Sequence, residues 1–208
     1  MSTILDLIFP KFCYSCGQEG DYLCQNCFIK VSTLSVKKVD FADGLLGLFP
    51  YHHPLIELIK DLKFGFVTDI HSTLIHLSLS RLKSDFPNLI DYWQEKSFVL
   101  VPVPLHSRRQ NWRGFNQSDL LGRQIASALN IDFDNQLLVR CKPTSPQSLQ
   151  TSLTSRSQNL KSAFMLKGKP SGNYLLFDDV STSGATLSSA ASVFPKSCSL
   201  WCLSLCLG

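Results

Sequence analysis

Three stretches of the chain are apolar on both faces: Phe98-Val-Leu-Val-Pro-Val-Pro104, Tyr174-Leu-Leu-Phe177 and residues 199–207. Runs without polar alternation mark strands buried on both sides of a parallel sheet. Further strands are predicted over 45–51 and, more briefly, over 136–140. Between them the rhythm changes. Leu55, Leu58, Ile59 and Leu62 recur at helical spacing across 54–64, and Pro54 suits a first helical turn. Helices are also predicted over 69–83, 117–129 and 185–194. In the second of these Leu120, Leu121, Ile125 and Leu129 share one side and Asn130 supplies the stop. Strands alternating with helices predict an α/β domain over 39–208, with an open, mostly parallel sheet flanked by helices. Residues 1–38 read as a separate small module. Residues 32–43 have no strong periodicity. Residues 142–159, rich in Ser, Thr, Gln and Pro, read as a long mobile loop or lid.

Composition narrows the class. With 44% apolar and 17% charged residues among 208, the chain is not mainly disordered and is long enough for a real core. Residues 1–10 lack a basic flank and carry Asp6 within their apolar stretch, so neither a signal peptide nor membrane insertion is expected. The expected location is the cytoplasm. Thiols stay reduced there, so the eight cysteines are expected as metal ligands, catalytic groups or core residues. The net charge of +4 is unevenly spread. Between residues 105 and 170, ten basic residues (Arg108, Arg109, Arg113, Arg123, Arg140, Lys142, Arg156, Lys161, Lys167, Lys169) face three acids (Asp119, Asp132, Asp134), giving +7. That asymmetry predicts an anionic partner, a phosphorylated metabolite or a nucleic acid backbone, although a solvated basic face would carry the same charge.

The N-terminal module holds Cys13-x-x-Cys16, seven residues, then Cys24-x-x-Cys27. Two such knuckles direct four thiolates at one centre, the tetrahedral arrangement of a closed structural zinc site, with no position open for catalysis. Gly17 and Gly20 suit the turns between them. A redox pair or buried free thiols is the alternative reading. Cys198, Cys202 and Cys206 are different. On a strand, successive members lie about 13 Å apart, so core packing is expected rather than a second metal site.

The densest chemistry lies in Leu175-Leu-Phe-Asp-Asp-Val-Ser-Thr-Ser-Gly-Ala-Thr186. An apolar strand delivers Asp178 and Asp179 to the sheet's C-terminal edge, where α/β proteins bind ligands. Ser181, Thr182, Ser183, Gly184 and Thr186 then offer hydroxyls and uncovered backbone N–H groups at a helix start, as a phosphate cradle does. The alternative is a plain helix cap. Neither the Walker nor the dinucleotide glycine pattern is found in the chain.

This segment resembles the signature of the type I phosphoribosyltransferases. The resemblance implies that Asp178 and Asp179 bind the ribose hydroxyls of phosphoribosyl pyrophosphate (PRPP), and that Thr182, Ser183, Gly184, Ala185 and Thr186 hold its 5′-phosphate. The wider sequence is similar to the ComF/GntX branch, which joins a four-cysteine, zinc-ribbon-like module to such a domain. That similarity is carried by Leu7-Ile-Phe-Pro10, Lys60-x-x-Lys63-Phe64, Val101-Pro-Val-Pro-Leu105, Arg113-Gly-Phe-Asn-Gln117, Pro146-Gln147 and Arg156-x-x-Asn159. Ser183 stands where the signature usually has threonine, Ser155 where the branch usually has glutamate, and Phe194-Pro-Lys-Ser replaces a glycine-containing turn.

The resemblance implies a diphosphate-binding loop over residues 101–109, including Pro104. Arg108, Arg109 and Arg113 could neutralise a diphosphate there through paired guanidinium bonds, with His106 either joining them or lying on the surface. Residues 113–117 could instead start the next helix. Lys60 and Lys63, three apart on one helical face, either meet one anion or are solvated. The implied reaction displaces pyrophosphate from C1′ of PRPP, with Mg²⁺ on the diphosphate and zinc on Cys13, Cys16, Cys24 and Cys27. The branch's link to natural transformation implies a second reading: an accessory protein that handles single-stranded DNA without turnover, its zinc module docking a competence helicase. Nothing in the sequence identifies an acceptor.

Overall fold

The computed structural model describes residues 10–64, 69–105, 115–141 and 163–208. The chain begins with the two knuckles and a short helix α1 (Gln25–Phe28), then β1 (Val36–Val39) and β2 (Ala42–Pro50). Three helices follow, α2 (Leu55–Phe64), α3 (Ile70–Asp85) and α4 (Pro87–Glu95). After them come β3 (Val99–Pro102), α5 (Gln117–Ala128), β4 (Asp132–Phe133), β5 (Leu138–Arg140) and β6 (Phe164–Leu166). The chain closes with β7 (Asn173–Ser181), α6 (Ala185–Ala191) and β8 (Ser199–Leu207).

Six strands form one sheet in the order β1-β2-β8-β7-β3-β4, and β5 and β6 form an antiparallel pair apart from it. Only β1 runs antiparallel to its neighbour in the large sheet. The open, mostly parallel α/β sheet expected from the alternating pattern is therefore the observed architecture. The runs read as buried strands occupy its centre, with β8 between β2 and β7. Successive side chains on these strands feed opposite cores. Leu175, Phe177, Leu203 and Leu205 join one cluster with α2 to α5, while Leu176 and Cys202 join another that includes Leu187 and Ala190 of α6. Both faces are covered, which is why these strands are continuously apolar.

Five elements escaped the sequence pattern: α1, β1, α4, β4 and β6. β1 is an exposed edge whose Lys37 and Lys38 interrupt any apolar period, and its partner β2 starts earlier than expected, at Ala42. Glycines in β2 hide its length: a Cβ on Gly44 would lie 2.6 Å from the Trp201 ring, and one on Gly47 would lie 2.5 Å from Leu207 Cβ. Helix α4 starts with Pro87 in its first turn and buries Ile90 and Trp93. β6 was not foreseen. β7 also runs further than the apolar stretch, pairing Asp178 with Ser204 and Ser181 with Leu207, so the two acids lie within the strand rather than after it.

The knuckle residues Cys13, Leu23, Cys27, Phe28 and Val31 pack into the same cluster as Leu46, Phe49 and the helices. Arg81 of α3 stitches this contact. Its guanidinium lies 5.0 Å from the Phe28 ring and 5.6 Å from the Phe49 ring, and donates to Val31 O at 2.8 Å and Thr33 Oγ1 at 2.5 Å. The boundary expected between residues 38 and 39 falls inside β1. Among the described residues, no helix is long and apolar enough to cross a membrane.

Candidate functional site

β3 and β7 are parallel neighbours from which the chain departs in opposite directions. From β3 it continues through α5 to β4 on the outer side; from β7 it continues through α6 to β8 on the inner side. Such a reversal opens a crevice at the carboxyl ends of the two strands. Val103 N–H donates to Phe177 O at 2.8 Å, so the end of β3 is tied to the residue just before the acids.

Asp178 and Asp179 sit at that crevice, 9% and 8% exposed. Their surroundings differ. Asp178 Oδ1 accepts from Ser118 Oγ at 3.1 Å and from Asp179 N–H at 3.0 Å. Asp179 Oδ1 accepts from Val180 N–H at 2.9 Å, and its Oδ2 meets Lys63 Nζ at 2.5 Å. Burial, then the charge of Asp179, pushes Asp178 up to about 8, against the pull of Lys63 and Ser118. The pair therefore offers a carboxyl that keeps its proton beside a carboxylate held by an ammonium.

The loop after β7 is short. Gly184 adopts φ +70, a left-handed conformation that glycine accepts without strain, and precedes α6, whose first two residues are Ala185 and Thr186. Thr182 and Ser183 are exposed. Ser183 Oγ lies 3.5 Å from Ala185 N, and Ser181 O accepts from Gly208 N–H at 2.9 Å, anchoring the loop's base.

On the β3 side, Pro104 is half-buried and lines a cavity of about 370 Å³ together with Pro102, Phe115, Asn116 and Asp119. Asn116 connects the strand end to α5. Its Oδ1 accepts from Ser118 N–H at 3.2 Å as a helix cap, and its Nδ2 donates to Val103 O at 3.2 Å. This gives Asn116 the helix-starting role foreseen as the alternative for its motif. Arg108, Arg109, Arg113 and His106 lie outside the described residues, as do residues 142–159.

Lys60 and Lys63 part company. Lys60 is exposed, whereas Lys63 turns inward onto Asp179. Sequence reasoning placed no protein cation on the acid pair and overlooked Ser118. Neither has a distinctive local pattern: helical spacing treats the two lysines alike, and Ser118 reads as a first-turn serine.

The four knuckle thiols converge. All four Sγ atoms lie within 4.8 Å of one another, and Cys16 and Cys24 are 3.7 Å apart. Tetrahedral zinc with bonds of about 2.3 Å needs sulfur atoms about 3.8 Å apart. Burial raises the Cys13 thiol, but the backbone N–H groups of Cys24, Cys16 and Ser15 outweigh it and lower Cys13 to about 6, whereas Cys16 and Cys24 are raised, so the first thiolate forms at Cys13. The cluster could hold a metal such as zinc. Cys202 and Cys206 are buried on β8, where burial pushes their thiols up, as core residues.

No family model matches the chain. Among solved structures, adenine phosphoribosyltransferase from Leishmania tarentolae aligns with 83% of this chain and 94% of its own, at 13% identity and a TM-score of 0.40. Competence protein ComFC of Bacillus subtilis is 28% identical over 90% of this chain and 72% of its own. DNA utilization protein YhgH of Salmonella typhimurium is 34% identical over 168 residues, 76% of this chain and 70% of that protein. Competence protein F of Haemophilus influenzae is 32% identical over 192 residues, spanning 90% of this chain and 80% of the relative. At that identity and coverage, the chain belongs to the ComF/YhgH family of competence and DNA utilization proteins.

Proposed function

We propose that the crevice between β3 and β7 binds PRPP and that the protein transfers its phosphoribosyl group, with release of pyrophosphate, in the setting of competence and DNA utilization that its relatives' names describe. One observation carries this reading: at the strand reversal, two adjacent, buried acids run directly into a short loop with exposed hydroxyls and a left-handed glycine.

Asp178 and Asp179 would hold the ribose hydroxyls, and Thr182, Ser183, Gly184, Ala185 and Thr186 the 5′-phosphate. Pro104, with Arg108, Arg109 and Arg113, would line the diphosphate end. Mg²⁺ bound with the diphosphate would offset charge on the leaving group. As C1′ loses pyrophosphate it gains positive charge, while Asp178 and Asp179 would hold the sugar in place through its hydroxyls. The loop fixes the far end of the sugar so that the acceptor meets C1′ in line. Cys13, Cys16, Cys24 and Cys27 would hold one structural zinc. We place the reaction in the cytoplasm.

A thermal-shift titration with PRPP and Mg²⁺ tests the site. The native protein is expected to gain stability and the Asp178→Asn/Asp179→Asn variant little. Equal shifts would remove the assignment. The second reading is an accessory that handles single-stranded DNA without turnover and docks a helicase through its cysteine module; the competence and DNA utilization in the relatives' names and the +7 charge over residues 105–170 support its DNA part. Pyrophosphate release with a panel of bases and amines supports the transferase. Salt-dependent retention of single-stranded DNA without release supports the accessory.

A further inference from the structure

Two adjacent, buried carboxyl groups relieve their repulsion by holding a proton or a nearby cation. Here a protein cation already stands against them. Lys63 Nζ is 2.5 Å from Asp179 Oδ2, and the lysine side chain is only 19% exposed. It comes from the last turn of α2, outside the strand and loop that carry the acids. That turn is held from its other side, because Asp61 accepts a hydrogen bond from the Tyr14 hydroxyl. Lys63 is thus a built part of the site and not a surface side chain folded over it.

We propose that Lys63 is the resident cation of the acid pair and so a positioning and specificity-determining residue: it takes at Asp179 the place of a divalent ion and leaves a sugar diol as the ligand the acids accept. The sugar half of this inference rests on the function proposed above; the cation half stands on the geometry alone. A second cation brought to Asp179 would meet the ammonium's charge at close range, so Mg²⁺ carried by a diphosphate stays at the diphosphate end. Among the described residues, Lys63 from α2 and Ser118 from α5 touch the pair, and the thiols of Cys202 and Cys206 from β8 feel its charge, which with burial keeps them protonated. With Lys63 on Asp179 and the proton on Asp178, the pair presents one acceptor and one donor, matching two neighbouring hydroxyls.

The test compares native protein, Lys63→Arg, Lys63→Met and Lys63→Met/Asp179→Asn by thermal shift, with MgCl₂ alone and with ribose 5-phosphate alone, from pH 6 to 9. Native protein and Lys63→Arg are expected to respond to the sugar phosphate and not to Mg²⁺. Lys63→Met should bind the sugar phosphate at least tenfold more weakly, with a displaced pH profile, and acquire a Mg²⁺ response that the double variant lacks. The double variant buries no unpaired charge and controls for folding. A Lys63→Met protein that ignores Mg²⁺, or binds the sugar phosphate with native affinity and pH profile, overturns the inference. A native protein indifferent to both ribose 5-phosphate and PRPP, alongside a Lys63→Met protein that gains Mg²⁺, overturns the proposed function while the resident cation stands.

Discussion

The Tyr14 hydroxyl donates to the carboxylate of Asp61, so the first cysteine knuckle rests on the same helical turn that presents Lys63 to Asp179. Burial and the neighbouring carboxylate push the phenol's ionisation up, keeping it a donor across the working pH range. Tyr14→Phe is expected to cost about 1.5 kcal/mol, the low end for a hydrogen bond to a charged group because this one is only partly buried. A double-mutant cycle with Asp61→Asn, read by urea unfolding, should return a coupling of that order. Additive losses would show the contact to be idle.

Asp178 is raised to about 8, first by burial and then by Asp179. The folded protein therefore keeps a proton that the unfolded chain, whose aspartates titrate near 4, gives up. The stability this contributes is complete below about pH 4 and is lost as the pH rises toward 8. Asp178→Asn, which cannot ionise, should exceed the native protein by about 1 kcal/mol or more at pH 8 and show no such excess at pH 4. Parallel stability curves across that range would contradict the raised value.

Gly47 is needed for close approach. With Leu207 Cβ only 2.5 Å from where its Cβ would stand, Gly47→Ala must push β2 away from β8. We expect a loss of about 1–3 kcal/mol and a lower melting temperature. An unchanged melting point would mean the central strands yield freely.

Metal analysis should return one zinc per chain, and stripping it with a strong chelator should open the knuckles, read as faster proteolysis between Cys16 and Cys24 and as newly titratable thiols. The packing of Cys27 and Phe28 into the main core predicts that zinc loss also lowers the melting temperature of the whole chain. Metal-free protein with protected thiols and native melting would sink the structural-zinc assignment.

Much of this molecule was legible in one dimension because the signals are local. The fully apolar runs of β3, β7 and β8 state burial on both faces, the 3–4 spacing of Leu55, Leu58, Ile59 and Leu62 states a helix, and the doubled Cys-x-x-Cys states a convergence of sulfur. Asp178-Asp179 and the hydroxyl-rich turn are consecutive residues, so the centre of the proposed site also lay within one short window. Elements whose pattern depends on partners did not show. β1 is a lysine-bearing edge strand given its identity by β2, and β2 is masked by glycines that make sense only against Trp201 and Leu207.

The sequence by itself determined the central buried strands, the main helices between them, the paired Cys-x-x-Cys knuckles and the acid-rich strand end, since backbone geometry and burial imprint those on neighbouring positions. Only the tertiary structure decided that Lys63 and not Lys60 meets the acids, that Ser118 holds Asp178, and that the knuckles brace α2 through Tyr14. Those contacts join residues 47 to 116 positions apart. Their energies depend on distance and dielectric after folding, and no periodicity along the chain records either.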